Sequence, residues 1–247
     1  VTAFAIVVPL ATVWIAWRLR NLGMPIDLAV YRAAGRHVLD GSDIYVLQSG
    51  NPFVGAFGRG YVLRNSFTYP PFGAAAFAPL AWLPPPAVVI GWFLASLAAL
   101  VAIVWMGFES ILSRSRQPGV ALGLASALFV FTTPVTDALF FGQIDLFIVL
   151  ALLLDCTGRT RHWGIATGVV TAVKVSPALF ILFFLLTRQW RACARAVATV
   201  VAITAVAWAI LPQASWRYWM HPGDGLDRVG GLADFLNQSM YGALQRL

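Results

Sequence analysis

The sequence predicts an all-α polytopic membrane protein. Of its 247 residues 60% are hydrophobic and 11% charged, with a mean hydropathy of +0.78, whereas soluble domains carry roughly 25% charged residues. Apolar segments long enough to cross a bilayer alternate with connections punctuated by arginine, the pattern of spans with oriented ends. No internal repeat, low-complexity tract or soluble second domain interrupts it. Residues 1–247 are therefore read as one transmembrane domain. The chain opens on Val1 without a signal-peptide n-region and ends at Leu247 within a helical pattern, so it is read as a piece of a longer chain with C-terminal spans missing.

Residues 1–17 form a span that stops at Arg18 and Arg20. Residues 21–86 form a first outer loop carrying short amphipathic helices. One covers 28–39, with Leu28, Tyr31, Val38 and Leu39 on one side and Arg32, Arg36 and Asp40 on the other. Asp27 is placed to N-cap it and Gly41 to end it. A second short helix runs over 71–82 and is closed by Pro84, Pro85 and Pro86. Residues 87–108 span. Residues 120–154, interrupted at Thr133-Pro134 and at Phe141-Gly142-Gln143-Ile144-Asp145, suit two short helices joined by a turn.

Residues 164–187 are read as a hairpin of half-helices turning at Lys174-Val175-Ser176-Pro177. A single span would put the basic connections at Arg159/Arg161 and at Arg188/Arg191/Arg195 on opposite sides of the membrane; a hairpin keeps both cytoplasmic. Residues 196–211 then cross outward, leaving 212–247 as a second outer segment on the side of Asp27. The first outer loop itself carries Arg32, Arg36, Arg59 and Arg64, and long loops obey the positive-inside rule poorly. A positive outer loop does suit a phosphate-bearing substrate.

The net charge is +7, from sixteen arginines and one lysine against ten acids. The basic residues sit at the ends of apolar segments and form no nucleic-acid surface. Cys156 and Cys193 stand near separate helix ends in no metal or redox spacing.

Asp27 has two readings. It is a good capping residue, and a lone carboxylate at the rim of a first span is placed to act as a general base. No second acid follows to make a metal-holding pair, so metal-free chemistry is expected. Lys174 is the sole lysine, in mid-segment, where a cation faces a partner or a wet cavity. Asp137 or Asp145 is one candidate partner, a phosphate another. Gln143 and Asp145 cap helices or meet substrate. Arg64 near Tyr69, and Arg228 near Asn237 and Gln238, are candidate clamps for phosphate or sugar hydroxyls. Trp14, Trp17, Trp82, Trp92, Trp105, Trp216 and Trp219 are interface anchors, with Trp216 and Trp219 also placed to stack on a sugar.

Together these segments resemble glycosyltransferase family 87, the polyprenyl-phosphate-mannose-dependent α-mannosyltransferases of actinobacteria. The resemblance rests on Asp27-Leu28-Ala29-Val30-Tyr31-Arg32, Phe67-Thr68-Tyr69-Pro70-Pro71, Phe141-Gly142-Gln143-Ile144-Asp145, Lys174-Val175-Ser176-Pro177, Ser215-Trp216-Arg217-Tyr218-Trp219, and Arg228 with Asn237-Gln238. Family members often carry Asn where this chain has Asp145. The resemblance implies a multi-span helical bundle of the GT-C type and a metal-independent inverting transfer with Asp27 as base and no cofactor. It implies donor polyprenyl-phosphate-mannose, a glycolipid acceptor with α-(1→2) linkages in phosphatidylinositol mannoside or lipomannan, and a periplasmic active site in the cell membrane. Lys174, Arg64, Tyr69, Gln143, Arg228, Asn237 and Gln238 are its expected substrate contacts.

Three rivals predict differently. An arabinofuranosyltransferase using decaprenyl-phosphate-arabinose shares fold and base. A secondary transporter shares broken helices and an intramembrane lysine. A non-catalytic assembly subunit predicts that Asp27→Ala is silent.

Overall fold

A computed structural model describes residues 24–45, 53–54, 60–61, 67–158, 162–221 and 240–246. The expected first span lies outside the described residues. In the outer loop, helix α1 runs Ile26–Asp40. Pro25 stands at its N-cap and Asp27 falls in its first turn, so the capping role expected of Asp27 is not the one it has. Its C-terminus is ended by Gly41 at φ 67, where the Ser42 N–H donates to the His37 carbonyl at 2.9 Å, the left-handed stop that glycine allows. Leu28, Tyr31, Ala34 and Gly35 form its buried face, while Leu39 is exposed, against expectation.

A two-residue antiparallel ladder, β1 (Phe53–Val54) with β2 (Gly60–Tyr61), is the small non-helical element of this loop. The helix expected over 71–82 divides into α2 (Pro71–Phe77) and a 3₁₀ turn at Ala78–Trp82, because Pro79 cannot donate into a continuing α-helix. A Cβ on Gly35 would lie 2.5 Å from the Phe77 carbonyl oxygen; α1 therefore rests directly on the end of α2.

Helix α3 (Pro85–Leu112) has 28 residues, about 42 Å at 1.5 Å per residue. Pro85 and Pro86 lie in its first turn, so they open this span rather than close the preceding helix. The 120–154 region forms three helices, not two: α4 (Pro118–Val130), α5 (Thr133–Phe141) and α6 (Asp145–Cys156). Pro134 lies in the first turn of α5, and α4 and α5 meet at 77°. Then come α7 (Ile165–Val173), α8 (Ala178–Leu186), α9 (Trp190–Ile210), α10 (Pro212–Met220) and α11 (Met240–Gln245).

Glycine contacts fix the direction of the α7–α8 pair. Gly164 lies against Ala192, and Gly168 against Ala196 and Thr199, so α7 runs parallel to α9. Since α8 ends at Leu186, four residues before Trp190, it must return to the same end. The pair is a hairpin of nine-residue half-helices, each about 14 Å long, as the arginine distribution requires. Gly164 with Gly168, and Ala192 with Ala196, are small residues at i and i+4 that let two backbones approach in lipid, where dispersion rather than water drives association. Helix α6 runs antiparallel to α7, since Asp155 meets Thr167 at one end and Asp145 meets Lys174 at the other.

Among the described residues α3 and α9 are each long and apolar enough to cross a membrane, and the bent α4–α5 pair qualifies together. Arg114, Arg116 and Arg188 lie between helices and Arg191 and Arg195 in the first two turns of α9, all at the end of the bundle away from Asp27. One buried cluster, with Phe93, Leu97, Leu100, Val104 and Leu146, packs the bundle. A second, with Leu28, Tyr31, Phe67, Phe77 and Val173, joins the outer loop to the hairpin tip.

Candidate functional site

Three helix boundaries come together where the outer loop meets the bundle: the start of α1, the α5–α6 turn and the α7–α8 tip. Gly142 makes the second possible. It takes φ 71, and a Cβ there would lie 2.8 Å from Pro25 Cβ and 2.9 Å from Leu28 Cβ. Only glycine lets the turn close against α1 in this conformation, and that closure brings Gln143 to Asp27.

The side chains form a connected polar cluster. Gln143 lies beside the Asp27 carboxylate, placed to favour its ionised form. Lys174 Nζ donates to Asp145 Oδ1 at 2.6 Å and lies 5.3 Å from the centre of the Tyr69 ring. The Tyr69 and Tyr31 hydroxyls are 3.1 Å apart, and the Tyr45 hydroxyl donates to the Tyr69 carbonyl at 3.0 Å. Tyr31 stacks on Phe77 with centroids 4.4 Å apart. The tyrosines are thereby held rigidly on the α1–α2 floor. At the rim, Arg217 of α10 bonds Asp43 at 2.7 Å and ties the second outer segment to the first loop.

Burial pushes the Asp27 carboxyl above the ordinary value of 3.8; the Gln143 amide and the Lys174 charge pull it back, and the Asp145 charge pushes it up again. The upward shift makes Asp27 a stronger base once ionised. Tyr31 and Tyr69 are also raised, chiefly by burial, and stay neutral hydrogen-bonding groups. With Asp27 and Asp145 ionised and Lys174 protonated, this cluster carries one net negative charge.

Asp27, Tyr69, Gln143 and Lys174 are thus brought together. Arg64, Arg228, Asn237 and Gln238 lie outside the described residues. Of the two candidate partners for Lys174, Asp145 holds it, while Asp137 is exposed on α5. Sequence reasoning passed over Tyr31 as a site residue; its position four residues after Asp27 was the available signal, placing both on one face of a helix. Trp92 does not anchor at an interface: it packs among Tyr31, Phe77 and Phe147. Trp82, Trp216 and Trp219 are exposed, as anchors are.

A sequence-family model described as "Glycosyltransferase family 87" matches residues 67–247. The chain belongs to glycosyltransferase family 87. A polyprenol-phosphate-mannose-dependent α-(1-2)-phosphatidylinositol mannoside mannosyltransferase of Mycobacterium tuberculosis is 32% identical over 95% of this chain and 57% of its own length. A phosphatidylinositol pentamannoside mannosyltransferase of Mycolicibacterium smegmatis is 33% identical over 73% of this chain and 44% of its own length. An α-(1->3)-arabinofuranosyltransferase of Corynebacterium glutamicum is 27% identical over 71% and 42%. The chain spans about half the length of these curated relatives. No solved structure matches it. Family membership and the apolar spans make this family 87 chain a membrane protein.

Proposed function

We propose that this family 87 chain carries the base and donor-phosphate side of an inverting mannosyltransferase. It takes mannose from polyprenyl-phosphate-mannose and passes it to a lipid-linked mannoside, forming α-(1→2) linkages of the phosphatidylinositol mannoside or lipomannan kind. The observation that carries this reading is the half-buried Asp27 carboxylate, oriented by Gln143 and raised in pKa beside Lys174. The mycobacterial relatives' dependence on polyprenol-phosphate-mannose supports the donor.

In the transfer, Asp27 takes the proton of the acceptor hydroxyl as its oxygen bonds the anomeric carbon. The bond from that carbon to the phosphate oxygen breaks, and the phosphate leaves as a monoester. One carboxylate suffices, because a phosphate is already a good leaving group and displacement from the opposite face inverts the β-linked donor to an α product. Lys174 lies where it stabilises the departing charge, while Arg64 and Arg228 are further candidates for that task. Asn237 and Gln238 are candidate hydroxyl contacts. The arginine-bearing connections opposite Asp27 support a cytoplasmic placement of that end and an extracytoplasmic, periplasmic-side active site.

The test is transfer of labelled mannose by the full-length protein in nanodiscs, wild type against Asp27→Asn. Asparagine keeps the shape and cannot accept the proton, so the expected loss is about 10²- to 10⁴-fold in kcat. Equal rates would remove Asp27 from the chemistry. Arabinose transfer from decaprenyl-phosphate-arabinose in place of mannose transfer would establish the second reading, which the arabinofuranosyltransferase relative favours.

A further inference from the structure

We propose that Asp145 is an internal competitor of the lipid phosphate for Lys174, and that its task is to expel the spent carrier after sugar transfer. This rests on the mannosyltransferase reading above. Lys174 is the cation acting on both Asp27 and Tyr69, and its Nζ is already engaged by Asp145 Oδ1 at 2.6 Å. That pair is not sealed in. The lysine side chain is 25% exposed and the carboxylate 42%, so both partners can exchange with something entering from the open side. Asp145 is also the first residue of α6, at the edge of the Gly142 turn, where a side chain can swing aside without unpacking the helix.

The charge balance of the reaction makes such a competitor useful. The donor is a phosphodiester with one negative charge. On transfer, the acceptor proton neutralises Asp27 and the departing phosphate becomes a monoester, carrying about −1.5 to −2 at pH 7. A free lysine would therefore hold the spent carrier more tightly than the fresh donor, and turnover would stall on product. A neighbouring carboxylate repels both ligands, but Coulomb energy scales with charge, so it repels the dianion about twice as strongly in free energy as the monoanion. Asp145 reclaims Lys174 and biases the site towards release.

The experiment uses full-length protein in nanodiscs, comparing wild type, Asp145→Asn and Asp145→Ser. Asparagine retains an oxygen for Lys174 and removes the charge. Loss of the charge is expected to lower the donor KM about threefold and the Ki of polyprenyl phosphate about tenfold, the square of the same factor. The ratio of Ki to KM then falls about threefold, and a burst on the first turnover precedes a slower steady state. Serine, a smaller neutral residue, is expected to move the ratio the same way, so the inference does not depend on one variant folding. Constants that stay put or rise together would overturn the proposal and leave Asp145 as an anchor that merely positions Lys174, while a fall by one common factor would overturn the expulsion of the spent carrier, since competition alone weakens both ligands equally. Binding of a short prenyl phosphate monoester and its methyl diester gives the same comparison without turnover. Wild type that binds both esters with a charge-dependent response in the variants, yet transfers no mannose, would overturn the function and keep the phosphate competition. Wild type that binds neither would overturn both.

Discussion

Asp145 and Asp155 stand at opposite ends of α6, and their surroundings separate an exchangeable carboxylate from a structural one. Asp155 is fully buried; the Thr167 backbone N–H and hydroxyl both donate to its Oδ2, at 2.7 and 2.9 Å. These two donors belong to the start of α7 and cannot leave without unwinding it. Asp145 is half-exposed, and its partner Lys174 is a long side chain at a hairpin tip. Burial with fixed partners makes a joint. Partial exposure with a flexible partner makes an exchangeable contact, at the end of the bundle where Asp27, Gln143 and the tyrosines gather.

The comparison can be broken most directly at the joint. Asp155→Ala leaves the Thr167 N–H and hydroxyl without that acceptor, so it is expected to cost about 3 kcal/mol. A stability loss no greater than that of Asp145→Asn in the same thermal melt would erase the distinction. Gly142→Ala tests the other end: the side chain is strained at φ 71 and meets Pro25 Cβ at 2.8 Å. The expected cost is about 2 kcal/mol, with loss of transfer because Gln143 is pushed from Asp27. A stable variant of normal activity would show that the closure is not what places Gln143.

A smaller effect carries a sign. Burial raises the folded pKa of Asp27 above 3.8, so the ionised group costs stability, and Asp27→Asn is expected to melt higher than wild type at neutral pH. The wild type is at its best relative to the variant at pH below the unfolded value, and loses ground as pH rises through the folded one. Melting across pH checks this, and a gap that widens on acidification would contradict it. Arg217→Ala removes an exposed pair with Asp43 and is expected to cost under about 1 kcal/mol in the same melts.

Much of this architecture was legible in the chain. Gly41 as a helix stop, the breaks at Thr133-Pro134 and Lys174–Pro177, and the hairpin deduced from the arginines all follow from local chemistry or the cost of charge in lipid. The partner of Lys174 was not, because choosing Asp145 over Asp137 depends on the left-handed turn at Gly142, which starts a new helix and swings its first residue toward the tip. Nor was the start of α1, where Pro25 takes the cap and moves Asp27 into the first turn. Trp92 looked like an anchor as a tryptophan near the start of a span, and its packing on Tyr31, Phe77 and Phe147 depends on how the outer loop folds onto α3. The glycine and alanine pairs joining α7 to α9 were visible as spacings and become meaningful only once two helices are known to meet.

The central claim is that a half-buried Asp27, tuned by Gln143, is the base. Its most direct test is the pH dependence of kcat/KM for mannose transfer in wild type and Gln143→Ala. Wild type is expected to show an acid limb above pH 3.8, the ordinary value for the carboxyl. Gln143→Ala is expected to move that limb to higher pH, since the lost amide had favoured the ionised form. A limb that stays in place in the variant, or a wild-type profile with none, would contradict the account.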